Sequence, residues 1–214
     1  MRRYVATALP TLLFVLTLTG CDNFVLSELF SRHPLTLVPD RNPIEQGEEI
    51  PLFVSGGGRP YLLRFPSDAS DFYHDEGLGT LSQPPDASYR AADSIGTVTI
   101  RAADSIESIY DLELTIVPPR PTDFTVDGDT GDNHTIELTW GYGDKEGHTG
   151  FRVERSTDGE AFELVDDSEA LDREATAFTD EGLNPNQLYH YRIYTVAGEY
   201  ESRRTEPRTA YSDP

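Results

Sequence analysis

The residues that usually carry catalytic or ligating chemistry are few and scattered in this chain. Its five histidines are His33, His74, His134, His148 and His190. None falls at the His-x-x-x-His or similar spacing that places two imidazoles on one metal. Cys21 is the only cysteine, so no thiolate pair is present to hold zinc or close a disulfide. There is no Gly-x-Ser-x-Gly elbow for a nucleophilic serine. Gly56, Gly57 and Gly58 precede a proline and not a helix, so they predict a flexible hairpin end rather than a phosphate cradle. Carboxylates are the stronger polar candidates. Asp127, Asp129 and Asp132 fall in a glycine-punctuated stretch and are weak calcium candidates, because a hard cation collects several oxygen ligands. The glycine position and closing Glu of a helix-flanked calcium loop are missing, so the competing expectation is a set of solvated loop carboxylates. This distribution predicts a protein that is not an enzyme, with no cofactor and no dedicated metal.

Charge narrows the partners. The chain has 214 residues, 38 Asp or Glu against 17 Lys or Arg, and a formal net charge of -21. A nucleic-acid backbone demands a positive surface and is excluded as the main partner. Aromatic side chains at loop tips are the remaining recognition candidates. Tyr142 stands between Gly141 and Gly143 at the start of a glycine-rich loop, and Tyr73 lies in another polar stretch. Both are candidate partner-contacting residues.

The N-terminus carries its own signal. Arg2 and Arg3 precede an apolar run from Val5 to Leu18, interrupted by Pro10 and shorter than the roughly 20 residues that span a bilayer. Leu18-Thr19-Gly20-Cys21 follows, and this tetrad resembles the lipobox of bacterial lipoproteins. The resemblance implies cleavage of residues 1–20, lipidation (palmitate among the acyl groups) at Cys21, and a tether over 21–33. It also implies an extracytoplasmic location in a bacterial cell envelope, with Asp22 favouring the inner membrane.

From residue 34 onward, short β-rich runs recur between Gly, Pro, Asp and Asn, the pattern of an all-β chain built from sandwiches. Pro118, Pro119 and Pro121 deny ladder donors and mark a stiff boundary. Two tandem domains are therefore expected, 34–117 and 122–212, with 118–121 as the linker. In the second, Ile136, Leu138 and Trp140 alternate with polar residues, as do Phe151 and Val153, and then Tyr189, Tyr191 and Ile193. Trp140, the run Phe151 to Arg155, and Leu183-x-Pro185 before Tyr189 resemble the fibronectin type III pattern. The resemblance implies a core of Trp140, Phe151, Val153, Leu183, Tyr189, Tyr191 and Ile193. It also implies a tyrosine corner at Tyr189, whose hydroxyl satisfies the preceding loop. In the first domain, Gly56-Gly57 before Pro60-Tyr61, Tyr89 with Ala91, and Ala103-Asp104-Ser105 are similar to immunoglobulin-like repeats of bacterial surface proteins. Together these imply a membrane-anchored envelope lipoprotein acting as a non-catalytic recognition or spacer module that contacts protein or glycan. The alternatives are a structural subunit of a secretion or adhesion assembly and a carbohydrate-binding accessory to a hydrolase.

Overall fold

The computed structural model describes residues 33–66, 74–75, 77, 79–128, 134–143, 147–166, 168 and 171–212. The described residues form strands and turns with no α-helix. In the first half these are β1 (Thr36–Pro39), β2 (Ile44–Glu45), β3 (Glu49–Ser55), β4 (Leu62–Arg64), β5 (His74–Asp75), β6 (Gly79–Leu81), β7 (Ser88–Arg90), β8 (Gly96–Ala103) and β9 (Ile109–Val117). One sheet runs β1-β3-β7-β6-β5 and the other β2-β9-β8-β4. All pairings are antiparallel except β2 with β9, where Ile44 lies beside Ile116. The core between the sheets follows the expected alternation. Ile50 and Leu52 of β3, Leu63 of β4, Tyr89 of β7, Val98 and Ile100 of β8, and Leu114 and Ile116 of β9 are all buried.

Consecutive strands β3 and β4 belong to opposite sheets, so Gly56–Gly58 is a crossover and not the flexible hairpin end that the glycines suggest. It is tied down as well. Gly57 N–H donates to His33 O at 2.8 Å, and Gly58 N–H donates to the Asp104 carboxylate at 2.8 Å. Gly56 has φ 73° and lies so near Pro34 O that any side chain would collide with backbone. Asp104 also accepts from the N–H groups of Ile106 (3.0 Å) and Ser108 (2.7 Å). Desolvation pushes this carboxyl up, but the Gly58, Ser108 and Ile106 N–H bonds outweigh it and hold it below the usual range.

The second half contains β10 (Thr122–Gly128), β11 (Ile136–Gly141), β12 (Gly150–Ser156), β13 (Glu163–Leu164), β14 (Ala177–Asp180), β15 (Leu188–Ala197), β16 (Tyr200–Glu201) and β17 (Arg208–Tyr211). β10-β11-β14 make one sheet; β13-β12-β15 make the other, with β16 and β17 both on the free side of β15. The chain is thus all-β, with two tandem sandwich-like units and a separate hydrophobic core in each. Pro118 and Pro121 at the junction are buried, so the proline stretch is packed against the units it joins.

Candidate functional site

The second core is organised around rings. Trp140 and Phe151 meet edge to face with centroids 5.5 Å apart, and Val153, Tyr191 and Ile193 fill the same interior. Leu183 and Tyr189 close it at the end away from the junction. The N–H of Asn184 donates to the Tyr189 hydroxyl at 3.0 Å, so the ring stays inside while its polar tip holds the loop before β15. Beside it lies a polar cluster with no sequence signature. Arg155 donates to both oxygens of Asp180 at 2.9 and 2.8 Å, Tyr191 O–H donates to Asp180 at 2.7 Å, and the guanidinium stacks 5.5 Å from the Tyr189 ring. Asp180 is buried, and its charge is fully partnered.

Tyr142 does not present itself to solvent as its glycine-flanked position suggests. It is half-buried, stacked 4.2 Å from the His148 ring and edge-on to Phe151 at 5.3 Å. The side chains of Thr122 and Asp123 lie against Gly141, and the rings of His148 and Phe151 cover that of Tyr142. Burial raises the Tyr142 hydroxyl to about 12, with Thr195 as a hydrogen-bond neighbour and Glu45 as a nearby charge. Glu45 belongs to the first unit, so Tyr142 lies on the side of the second unit that faces the junction, with its ring half-buried. Asp127 also departs from expectation: it sits in β10, in register with Glu137 of β11, and not in the loop. Asp129, Asp132, Tyr73 and Cys21 lie outside the described residues. Among the described residues no three His, Cys, Asp or Glu side chains are placed to hold a metal ion. His190 packs its ring over Gly159, and His148 Nε2 lies 3.1 Å from Arg173 O, so both have structural neighbours.

Two charged constellations were not foreseen. At the junction, Arg203 of the second unit donates to Glu45 at 2.9 Å and to Glu48 at 3.1 Å, while Arg120 reaches Glu45 at 3.3 Å and Arg41 reaches Glu48 at 2.8 Å. Thr195 O–H donates to Pro119 O at 2.8 Å and ties the connecting segment to the second unit. On the outer face of β12 and β15, Glu154 takes Arg192 and Arg204, and Arg204 also reaches Glu201 at 3.1 Å. The two guanidiniums lie over aromatic rings, Arg192 on Phe162 at 4.2 Å and Arg204 on Tyr194 at 3.9 Å. Nothing in either arrangement offers a nucleophile beside a base or an oxyanion site. What it offers is two rigid units, a braced seam, and a sheet face whose charges are already satisfied.

A sandwich of a three-strand and a C-F-G-type sheet with a tyrosine corner defines a class of non-catalytic β-modules. Residues 119–211 match the family model described as the fibronectin type III domain, and that span is a fibronectin type III domain. The chain is similar to several solved structures. A cytokine receptor complex is 14% identical, aligning 84% of this chain with 97% of its own at a TM-score of 0.52. A fibronectin-like protein from Clostridium thermocellum is 23% identical over 46% of this chain and 96% of that one, at a TM-score of 0.38. The FN1–FN3 domains of chicken CNTN1 are 14% identical over 85% of this chain and 69% of theirs, at 0.41. At these identities the first shows a shared two-unit fold and no more. No curated protein matches the sequence. The fibronectin type III fold of residues 119–211 belongs to a non-catalytic family of β-modules.

Proposed function

We propose that the chain is a lipid-anchored lipoprotein of the bacterial cell envelope, and that its immunoglobulin-like first unit carries the fibronectin type III domain away from the membrane to contact another protein. The observation that carries this reading is the order of parts. The described chain starts at the end of the first unit opposite the junction, where His33 O accepts from Gly57 N–H, and the fibronectin domain lies beyond the braced seam. With Leu18-Thr19-Gly20-Cys21 twelve residues before His33, a lipid at Cys21 would leave that end of the first unit facing the bilayer. Protein contact is favoured over glycan because the described exposed aromatics, Phe53, Tyr110 and Tyr211, do not gather into one stacking platform on the fibronectin domain. The strong negative charge selects against anionic partners. Labelling cells with palmitate tests the anchor: incorporation should be lost in Cys21→Ser, and unchanged labelling would refute it. Crosslinked membranes then test the contact. A discrete protein adduct to residues of 119–211 is expected, and retention on purified glycans without one overturns it.

A further inference from the structure

The exposed large apolar side chains are not spread over the molecule. Among the described residues they are Val38, Phe53, Leu62, Ile106, Ile109, Tyr110 and Tyr211. All but Tyr211 belong to the first unit, and all six lie in its half away from the junction. The strand directions establish this. β9 runs from Ile109 to Val117, where the chain passes into the junction, so Ile109 and Tyr110 stand at the opposite end. Leu62 pairs with Ala103 and Ala103 with Ile109, placing the three in one cross-strand row on the outward side of that sheet. Ile106 sits in the turn joining β8 to β9 and rests against Gly58. Val38 and Phe53 are register partners on the other sheet, two residues from the same end. The outward row nearer the junction is the pair Arg101–Asp111, at 2.7 Å, and beyond it come Thr99 with Glu113 and Thr97 with Thr115. On the outward face of this sheet, apolar character therefore stops one row in from the tip.

Charge follows the same division. The segments that carry the main patch, 58–64 and 101–111, hold Arg59, Arg64 and Arg101 against Asp104, Glu107 and Asp111, a balanced set in a chain of net charge -21. Arg59 is exposed and lies over the Tyr61 ring at 5.8 Å, and Tyr110 is exposed next to Ile109 at the start of β9. Arginine and tyrosine bordering aliphatic side chains is the composition favoured where headgroups meet acyl chains. This is also the end at which the chain comes in. Pro34 O lies against Gly56 and His33 O against Gly57, within a few residues of Ile106. Cys21 lies twelve positions before His33. Even fully extended that stretch reaches about 40 Å, and less than that when relaxed.

We infer that this apolar tip, Leu62, Ile106, Ile109 and Tyr110 rimmed by Arg59, rests in the interfacial layer of a phospholipid bilayer. It would work as a second, weak contact that holds the lipid-anchored molecule upright. The inference rests on the lipoprotein reading and adds to it a protein surface that touches lipid. Interfacial apolar faces lie about 5–10 Å into the headgroup boundary, and the Arg101–Asp111 pair marks where the outward face of this sheet turns polar. A single acyl group or a small apolar patch binds reversibly, whereas the two together fix both position and tilt.

The test uses the full acylated chain in phosphatidylcholine vesicles. With Cys21 blocked by its lipid, a cysteine introduced by Ile106→Cys is the only free thiol and takes an environment-sensitive dye. Ile109→Cys provides a second site on the patch, and Tyr211→Cys one at the far end of the molecule. Brominated phosphatidylcholine should quench the dye at 106 and at 109 at least about twofold more than at 211. Equal weak quenching at all three sites, with acylation verified by mass, overturns the inference and leaves the anchor standing. A chain that is never acylated overturns both. Shielding of position 106 from aqueous quencher without quenching by lipid also overturns it, since the tip would then be covered by a second copy or by the chain's own N-terminal segment.

Discussion

Asp180 shows how much of the fibronectin unit depends on single residues. It is 4% exposed, and its charge is met by Arg155 and the Tyr191 hydroxyl. Asp180→Asn keeps the shape but leaves the Arg155 guanidinium without its counter-charge, and should cost about 1–3 kcal/mol in urea unfolding. Little change would mean that solvent already compensates Arg155. Phenols supply the pH dependence. Burial raises Tyr89 and Tyr142 to about 12 and pushes Tyr191 up as well. Their folded values exceed the ordinary value near 10, so the stabilisation they give is complete below pH 10 and is lost as pH rises towards 12. The urea midpoint should fall across that window, and Tyr89→Phe should make the fall shallower. At this scale the sequence was informative where a side chain belongs to a periodic pattern. Trp140, Phe151 and Tyr191 could be placed inside from alternation alone, and all three are buried. Tyr142 could not, because two flanking glycines leave the backbone free in either direction and only the neighbouring His148 and Phe151 rings decide which way it turns.

At the scale of elements, legibility tracks length. The seven-residue β3, the eight-residue β8 and the ten-residue β15 carry enough alternation to be seen. The two-residue β2, β5 and β16 do not, because two residues have no period; tertiary pairing alone makes them strands. Side chains sometimes stand in for a missing strand. Gln83 takes the N–H of Leu63 at 2.9 Å and donates to its C=O at 2.8 Å, satisfying the edge of β4 with an amide that no strand pattern reveals. The outer face of β12 and β15 allows a controlled comparison of burial. Glu154 and Glu201 each touch two arginines, but the Glu154 side chain is 11% exposed and that of Glu201 is 36%. Glu154→Gln should therefore cost about 1–2 kcal/mol, and Glu201→Gln within about 0.5 kcal/mol. Equal losses in chemical denaturation would show that the number of partners, and not their desolvation, sets the strength of the ladder.

Across the whole molecule, the decisive contacts join residues that sequence separates most widely. Arg203 and Glu45 are 158 positions apart, and no local pattern connects them. Prolines mark where the units divide, while the clasp across the division is built from ordinary surface-type charges that a reader of sequence assigns to solvent. Arg203 is the pivotal member because, among the described residues, it alone reaches both Glu45 and Glu48 from the fibronectin side. Arg120 adds a second, longer pair to Glu45 from the connecting segment. These side chains are partly exposed, so each pair is worth no more than about 1 kcal/mol and is weakened by salt. Their effect should thus appear in orientation more than in stability. In the wild-type chain, residual dipolar couplings from the two units should fit one alignment tensor at low ionic strength. Arg203→Ala combined with Arg120→Ala should give each unit its own tensor while shifting the thermal midpoint by only about 2–4 °C. Raising the salt to about 0.5 M should move the wild type part of the way, since the Debye length then falls to a few ångströms. A single tensor that survives both treatments would show that Pro118, Pro121 and the Thr195–Pro119 bond hold the seam without the charges. The orientation of the fibronectin domain relative to the first unit would then be set by packing alone.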